Sequence, residues 1–128
     1  MSTIKAANVQ NTGSGAPTFK NSSGTEIGQL AKAWVNFNGT GTVAIRDDFN
    51  VSSITDNGTG TYTVTFTTAM ANANYVTLGT IEERGVSVHC STNDAASQTT
   101  SAVNIATVLS GTSTGFDCDQ VNVAVFGA

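Results

Sequence analysis

Residues 49 to 66 constrain the fold more than any other stretch, because they spell out a β-hairpin. Phe49-Asn50-Val51-Ser52-Ser53-Ile54 is strand-like, Asp56-Asn57-Gly58-Thr59-Gly60 is turn-like, and Tyr62-Thr63-Val64-Thr65-Phe66 alternates between polar and apolar residues. Asn-Gly suits a type I′ turn, whose two central residues need φ > 0. A two-residue loop at Asn57-Gly58 is therefore expected, with Val51 opposite Val64 and Phe49 opposite Phe66. A four-residue loop, Asn57 to Gly60, shifts the partners by two and leaves every side chain on its face. A three-residue loop would set Val51 against Thr65 and split the apolar set, so it is rejected. The expected buried face is Phe49, Val51, Val64 and Phe66.

The polar face of this hairpin is Thr and Ser, and the whole chain shares its lack of charge. Charged residues make up 11% of the 128 residues, against about 25% in an ordinary soluble domain. Thr, Ser, Asn and Gly together supply about 45%, while Leu occurs only at positions 30, 78 and 109. With 39% hydrophobic residues in alternating runs, the chain is a folded β-protein and not a disordered polar tract. A net charge of −4 leaves no basic stripe, which argues against nucleic acid or an anionic membrane as a partner. No apolar run reaches the length of a membrane span, so no membrane insertion is expected.

The opening Met1-Ser2-Thr3-Ile4-Lys5-Ala6-Ala7 lacks the charged and apolar regions of a secretory signal. The chain is expected to stay in the cytoplasm where it is made, although its surface is that of an exported protein. A virion component, assembled in a host cytoplasm and released by lysis, reconciles the two. Cys90 and Cys118 then read as small buried hydrophobes in preference to a disulfide, although two cysteines permit only one pairing.

Residues 1 to 30 read as an N-terminal arm and residues 31 to 128 as one β-sandwich domain. The arm carries a strand-like piece from Thr3 to Gln10, a flexible connector around Pro17 and a turn-rich stretch at Asn21-Ser22-Ser23-Gly24. It has too few apolar residues for a core of its own, so it is expected to be ordered by a partner, with Ile4 and Val9 as anchoring residues. Beyond it, Ala33 to Phe37 and Thr42 to Arg46 flank Gly39-Thr40-Gly41. A loop of those three residues would pair Phe37 with Val43, Val35 with Ile45, and Trp34 with Arg46 on the other face. Further strands are expected at Tyr75 to Thr80, Gly85 to Cys90, Ser101 to Leu109 and Val121 to Phe126, separated by loops at 93–98 and 110–115. Eight or so short strands indicate an all-β antiparallel sandwich or jelly-roll. The best helix candidate, Ile27 to Val35, is weak because Trp34 and Val35 favour strand.

Few residues suggest chemistry. His89 lies between Val88 and Cys90 and faces away from them, and no Gly-x-Ser-x-Gly elbow accompanies it. The acidic sets Asp47-Asp48, Glu82-Glu83 and Asp117/Asp119 lack the periodicity of a calcium loop. No cofactor, metal site or enzymatic activity is expected. Trp34 with Arg46 is the one constellation retained, as a subunit interface or a ligand platform.

From Ala33-Trp34-Val35-Asn36-Phe37 through Asn38-Gly39-Thr40-Gly41-Thr42-Val43-Ala44-Ile45-Arg46, and on from Asn50 to Met70, the sequence resembles a module of tail-fibre-like proteins in phages of marine bacteria, including cyanophages. The resemblance covers residues 33 to 70 and, weakly, the opening Met1 to Lys5. It implies a homotrimeric virion appendage, a tail fibre or tip, involved in host attachment. The chain departs from a full fibre in having no long repetitive shaft. The arm is expected to join other virion proteins. Asn93, Asp94, Gln98, Ser110, Thr112, Ser113 and Thr114 are expected to face a host surface glycan or protein, since short polar side chains offer adaptable hydrogen bonds. The alternative is a structural capsid decoration, knob or connector protein without receptor binding.

Overall fold

The computed structural model describes residues 6, 8–10, 17–82, 88–92 and 98–127. The chain divides into two compact units, Met1–Leu30 and Ala31–Ala128. In the first, β1 (Phe19–Lys20) pairs with β2 (Glu26–Gly28) across a turn. Oδ1 of Asn21 organises that turn by accepting hydrogen bonds from the Ser23 and Thr25 amides at 3.0 and 2.9 Å. Ile4 and half of the piece expected at Thr3 to Gln10 lie outside the described residues, and Val9 is exposed.

The second unit is a sandwich of two four-stranded antiparallel sheets. One has the order β4-β3-β10-β7, from β3 (Ala33–Asn38), β4 (Ala44–Phe49), β7 (Val76–Glu82) and β10 (Gln120–Phe126). The other has the order β5-β6-β9-β8, from β5 (Val51–Gly58), β6 (Thr61–Phe66), β8 (Val88–Thr92) and β9 (Ala102–Leu109). Alternation in β3, β6 and β10 sends Val35, Phe37, Tyr62, Val64, Phe66, Val121, Val123 and Val125 into one shared core. Phe37 of the first sheet meets Tyr62 of the second edge to face, with ring centroids 5.1 Å apart. No helix occurs among the described residues, and Ile27 to Val35, the helix candidate, belongs to β2, β3 and the link between them.

The chain changes sheets at Asn50, which splits the strand expected from Phe49 onward. Asn50 has φ 57°, a left-handed conformation that Asn tolerates better than most residues. Its amide bridges the two flanks of the corner. Nδ2 donates to the Lys32 and Thr68 carbonyls at 3.0 and 3.1 Å, and Oδ1 accepts the Thr68 amide hydrogen at 2.7 Å. Phe49 therefore ends β4 on the first sheet and is exposed, while Val51 begins β5 and is buried. The expectation that Phe49 shares the buried face is corrected.

The hairpin register is also corrected. Ile54 pairs with Val64 and Val51 with Phe66, with one irregularity between them and another near the tip. Val51 and Ile54 are three residues apart, so strict alternation cannot turn both inward; a bulge does. The turn centres on Thr59-Gly60, not Asn57-Gly58. Asn57 stays in the strand and donates to Thr63 Oγ1 at 2.8 Å, and Asp56 accepts the Gly58 amide hydrogen at 2.9 Å. Tertiary packing chooses this turn. Gly60 (φ 68°) lies so close to the Thr107 carbonyl that a Cβ there would sit 2.3 Å from it.

The β3–β4 hairpin differs in the same way. Phe37 pairs with Ile45, Val35 with Asp48 and Trp34 with Phe49, so neither Phe37–Val43, Val35–Ile45 nor Trp34–Arg46 forms. The connection is residues 39–43, held by Asn38, whose side chain bonds Thr40 through both Nδ2 and Oδ1. Arg46 is the extra residue of a bulge, because Ile45 and Asp47 face the successive residues Phe37 and Asn36.

Candidate functional site

The outer face of the first sheet is unusual for a charge-poor sandwich. Outward positions on its four strands align through the register as Phe49, Trp34, Ala124 and Leu78. Trp34 is 37% exposed, Phe49 54% and Leu78 56%. Ala124 is the small member of the row, so Trp34 and Leu78 stand as walls above it. They enclose an open groove of about 290 Å³, whose lining also includes Asn36, Thr80 and Asn122.

Those three polar residues form the next row, in register with one another across β3, β10 and β7. Asn36 Nδ2 donates to Asn122 Oδ1 at 2.5 Å, and Asn122 Nδ2 donates to Thr80 Oγ1 at 3.2 Å. The chain of bonds fixes the amide orientations and leaves further capacity: a second N–H on each amide, the Asn36 carbonyl oxygen and the Thr80 hydroxyl proton. Among the described residues, no ionisable side chain lines the groove. Asp47 flanks it, opposite Asn36 on β4. The groove thus offers an aromatic face, an apolar floor and wall, and a row of neutral hydrogen-bonding groups.

Among the described residues, Trp34 is the only expected site residue found here. Arg46 sits at its bulge, 3.4 Å from Asp119, in an exposed ion pair of little energetic weight. Asn93 and Asp94 lie outside the described residues. Gln98 is half-buried and braces the sandwich, donating to the Tyr75 carbonyl at 3.1 Å and Thr77 Oγ1 at 3.2 Å. Ser110, Thr112, Ser113 and Thr114 are exposed on the turn after β9. There Thr112 Oγ1 donates to the Leu109 carbonyl and accepts the Thr114 amide hydrogen.

Asn36, Leu78, Thr80, Asn122 and Ala124 had no signal of their own in the sequence. Each is an ordinary outward residue of a strand, and they converge only through the non-local order β3-β10-β7. Elsewhere, His89 is exposed on β8, with Val88 and Cys90 half-buried. Cys90 and Cys118 form no disulfide, and Cys118 is fully buried. Burial, and secondly the neighbouring Cys118, push the Cys90 thiol up to about 11. Among the described residues no three His, Cys, Asp or Glu side chains gather as a metal site would require. Searches for similarity returned no matching protein-family model, no matching curated protein and no matching solved structure.

Proposed function

We propose that this chain is a non-enzymatic appendage protein of a bacteriophage particle, a tail fibre or tip that attaches the particle to its host, and that it acts as a homotrimer. The observation that carries the proposal is the Trp34 groove. Its lining of indole, methyl, amide and hydroxyl groups is suited to holding a ligand by stacking and hydrogen bonds, and among the described residues it holds no acid–base pair. The resemblance of residues 33 to 70 to phage tail-fibre modules supports the same conclusion, since that stretch includes β3 to β6. In this scheme residues 17–30, which expose Phe19, Ile27 and Leu30, join the chain to its sister subunits and to other virion proteins.

The purified chain, added to host cells before infection, should bind them and slow phage adsorption. Failure to bind cells, together with density for the protein on the capsid face of the particle, would overturn the attachment role. A sedimentation mass of one subunit at micromolar concentration would overturn the trimer. One observation favours the second reading, a decoration or connector protein. Phe49 and Val76 extend exposed apolar surface beyond the groove, as a purely structural interface would.

A further inference from the structure

We infer that the Trp34 groove is a binding site for an uncharged hexopyranose, whose ring lies over Ala124 against the indole and whose hydroxyls meet Asn36, Asn122 and Thr80. This rests on the attachment role proposed above and names the ligand class. A pyranose has two chemically different parts, a patch of ring C–H groups and a rim of hydroxyls. The groove has both complements two residues apart along the same strands, on the same face: Trp34, Ala124 and Leu78 in one row, Asn36, Asn122 and Thr80 in the next. The negative face of an indole attracts the partly positive C–H edge of an apolar group. The amides and the hydroxyl each retain a donor or acceptor beyond the Asn36–Asn122–Thr80 bonds, as hydroxyl recognition requires.

The alternative occupant is a second copy of the chain, and the polar row argues against it. A dry protein interface would strip water from Asn36, Asn122 and Thr80 and leave their spare donors and acceptors unpaired, which is costly. A sugar replaces that water with hydroxyls. Shape agrees: Ala124 leaves a shallow trough between Trp34 and Leu78 that a thin ring fills, and about 290 Å³ is at the small end of ligand sites. Charge selects further. With no cation among the described residues of the lining and Asp47 at the flank, a uronic or sialic acid is disfavoured relative to a neutral sugar.

Trp34 is the only tryptophan in the sequence, so its fluorescence reports this site alone. The full chain should be titrated with the methyl pyranosides of glucose, galactose and mannose, and with glucuronic acid as the anionic control. At least one neutral sugar should shift or quench the emission saturably, and the uronic acid should not. By calorimetry with that sugar, Asn36→Ala and Asn122→Ala should each weaken binding about tenfold. Ala124→Leu, which fills the trough on an outward position, should abolish it, with an unchanged melting temperature showing that the fold survives. No response to any neutral sugar, or undiminished binding by Ala124→Leu, would overturn the inference. So would emission that responds to protein concentration and not to sugar, which would assign the face to a second copy. If host-cell binding persists in the absence of any sugar response, the attachment role stands and only the ligand assignment falls. Loss of cell binding itself would defeat the attachment role.

Discussion

The Tyr62 hydroxyl lies 2.9 Å from Oδ1 of Asp117, and the same oxygen accepts the Gly60 amide hydrogen at 2.6 Å. One carboxylate thus ties strand β6 and the hairpin tip to the segment leading into β10. Tyr62 is fully buried and shares its single proton with the Gly39 carbonyl, 3.0 Å away. Burial first, then the hydrogen bond and charge of Asp117, raise its pKa well above the ordinary value of 10.0.

That shift sets an alkaline limit on stability. The folded state keeps a proton that the unfolded chain releases near pH 10.0, so the stabilisation is fully present below that pH and declines above it. The decline for one such group is about 1.4 kcal/mol per pH unit. Tyr75, also raised by burial, adds with the same sign. Tyr62→Phe should cost about 1 kcal/mol at neutral pH, and its urea midpoint should fall less steeply than the wild type above pH 10. Equal slopes for the two proteins would show that Tyr62 is not the group responsible.

Asn50 is expected to be among the least replaceable polar residues. Asn50→Ala removes hydrogen bonds to the Lys32 carbonyl and to both Thr68 backbone groups, and forces an alanine into φ 57°. A loss of about 2–4 kcal/mol is expected from these combined effects. Asn50→Gly loses the same bonds but accepts the backbone angle, so it should be less damaging by about 1 kcal/mol. Urea denaturation of the two variants measures the difference. Equal stability would mean that backbone conformation contributes nothing at this corner.

Phe49 and Phe66 distinguish the observed register from the alternating pattern in which they face each other. Phe66 is buried and packs edge to face on Tyr75 at 5.8 Å, whereas Phe49 is 54% exposed. Phe66→Ala should cost about 3–5 kcal/mol, and Phe49→Ser should stay within about 1 kcal/mol of wild type. Val64→Asp, placing a carboxylate in the core, should cost several kcal/mol and prevent soluble expression. Thermal melts settle the pair: comparable losses at Phe49 and Phe66 would restore the simpler register.

Local alternation made the strands legible. Tyr62-Thr63-Val64-Thr65-Phe66 and Val121-Asn122-Val123-Ala124-Val125 carry the period of two in their own letters, and both are half-buried strands. Turns and partners were less legible because neighbours distant in sequence decide them. Asn57-Gly58 has the better turn propensity, yet Thr59-Gly60 turns because Asp117 and Thr107 hold Gly60. The groove was hidden for the same reason: Asn36 and Asn122 are 86 residues apart and become neighbours only when β10 enters between β3 and β7.

Gly79 and Cys90 carry the last prediction, because they meet where β7 of one sheet approaches β8 of the other. A Cβ on Gly79 would stand 2.3 Å from Cys90 Sγ and 2.8 Å from Cys90 Cβ. Gly79→Ala therefore overpacks this junction and should cost about 1–3 kcal/mol. Cys90→Ala removes the nearer of the two atoms, so the double variant should be more stable than the sum of the single losses predicts, with a coupling of at least about 0.5 kcal/mol. A second measurement uses the thiol. With Cys90 pushed up to about 11 by burial and by Cys118 beside it, alkylation of the native protein at pH 8 should be far slower than that of a free thiol. Gly79→Ala should accelerate Cys90 labelling, because separating the two strands admits the reagent. Strict additivity together with unchanged labelling would mean that the sheets give way at this junction without strain.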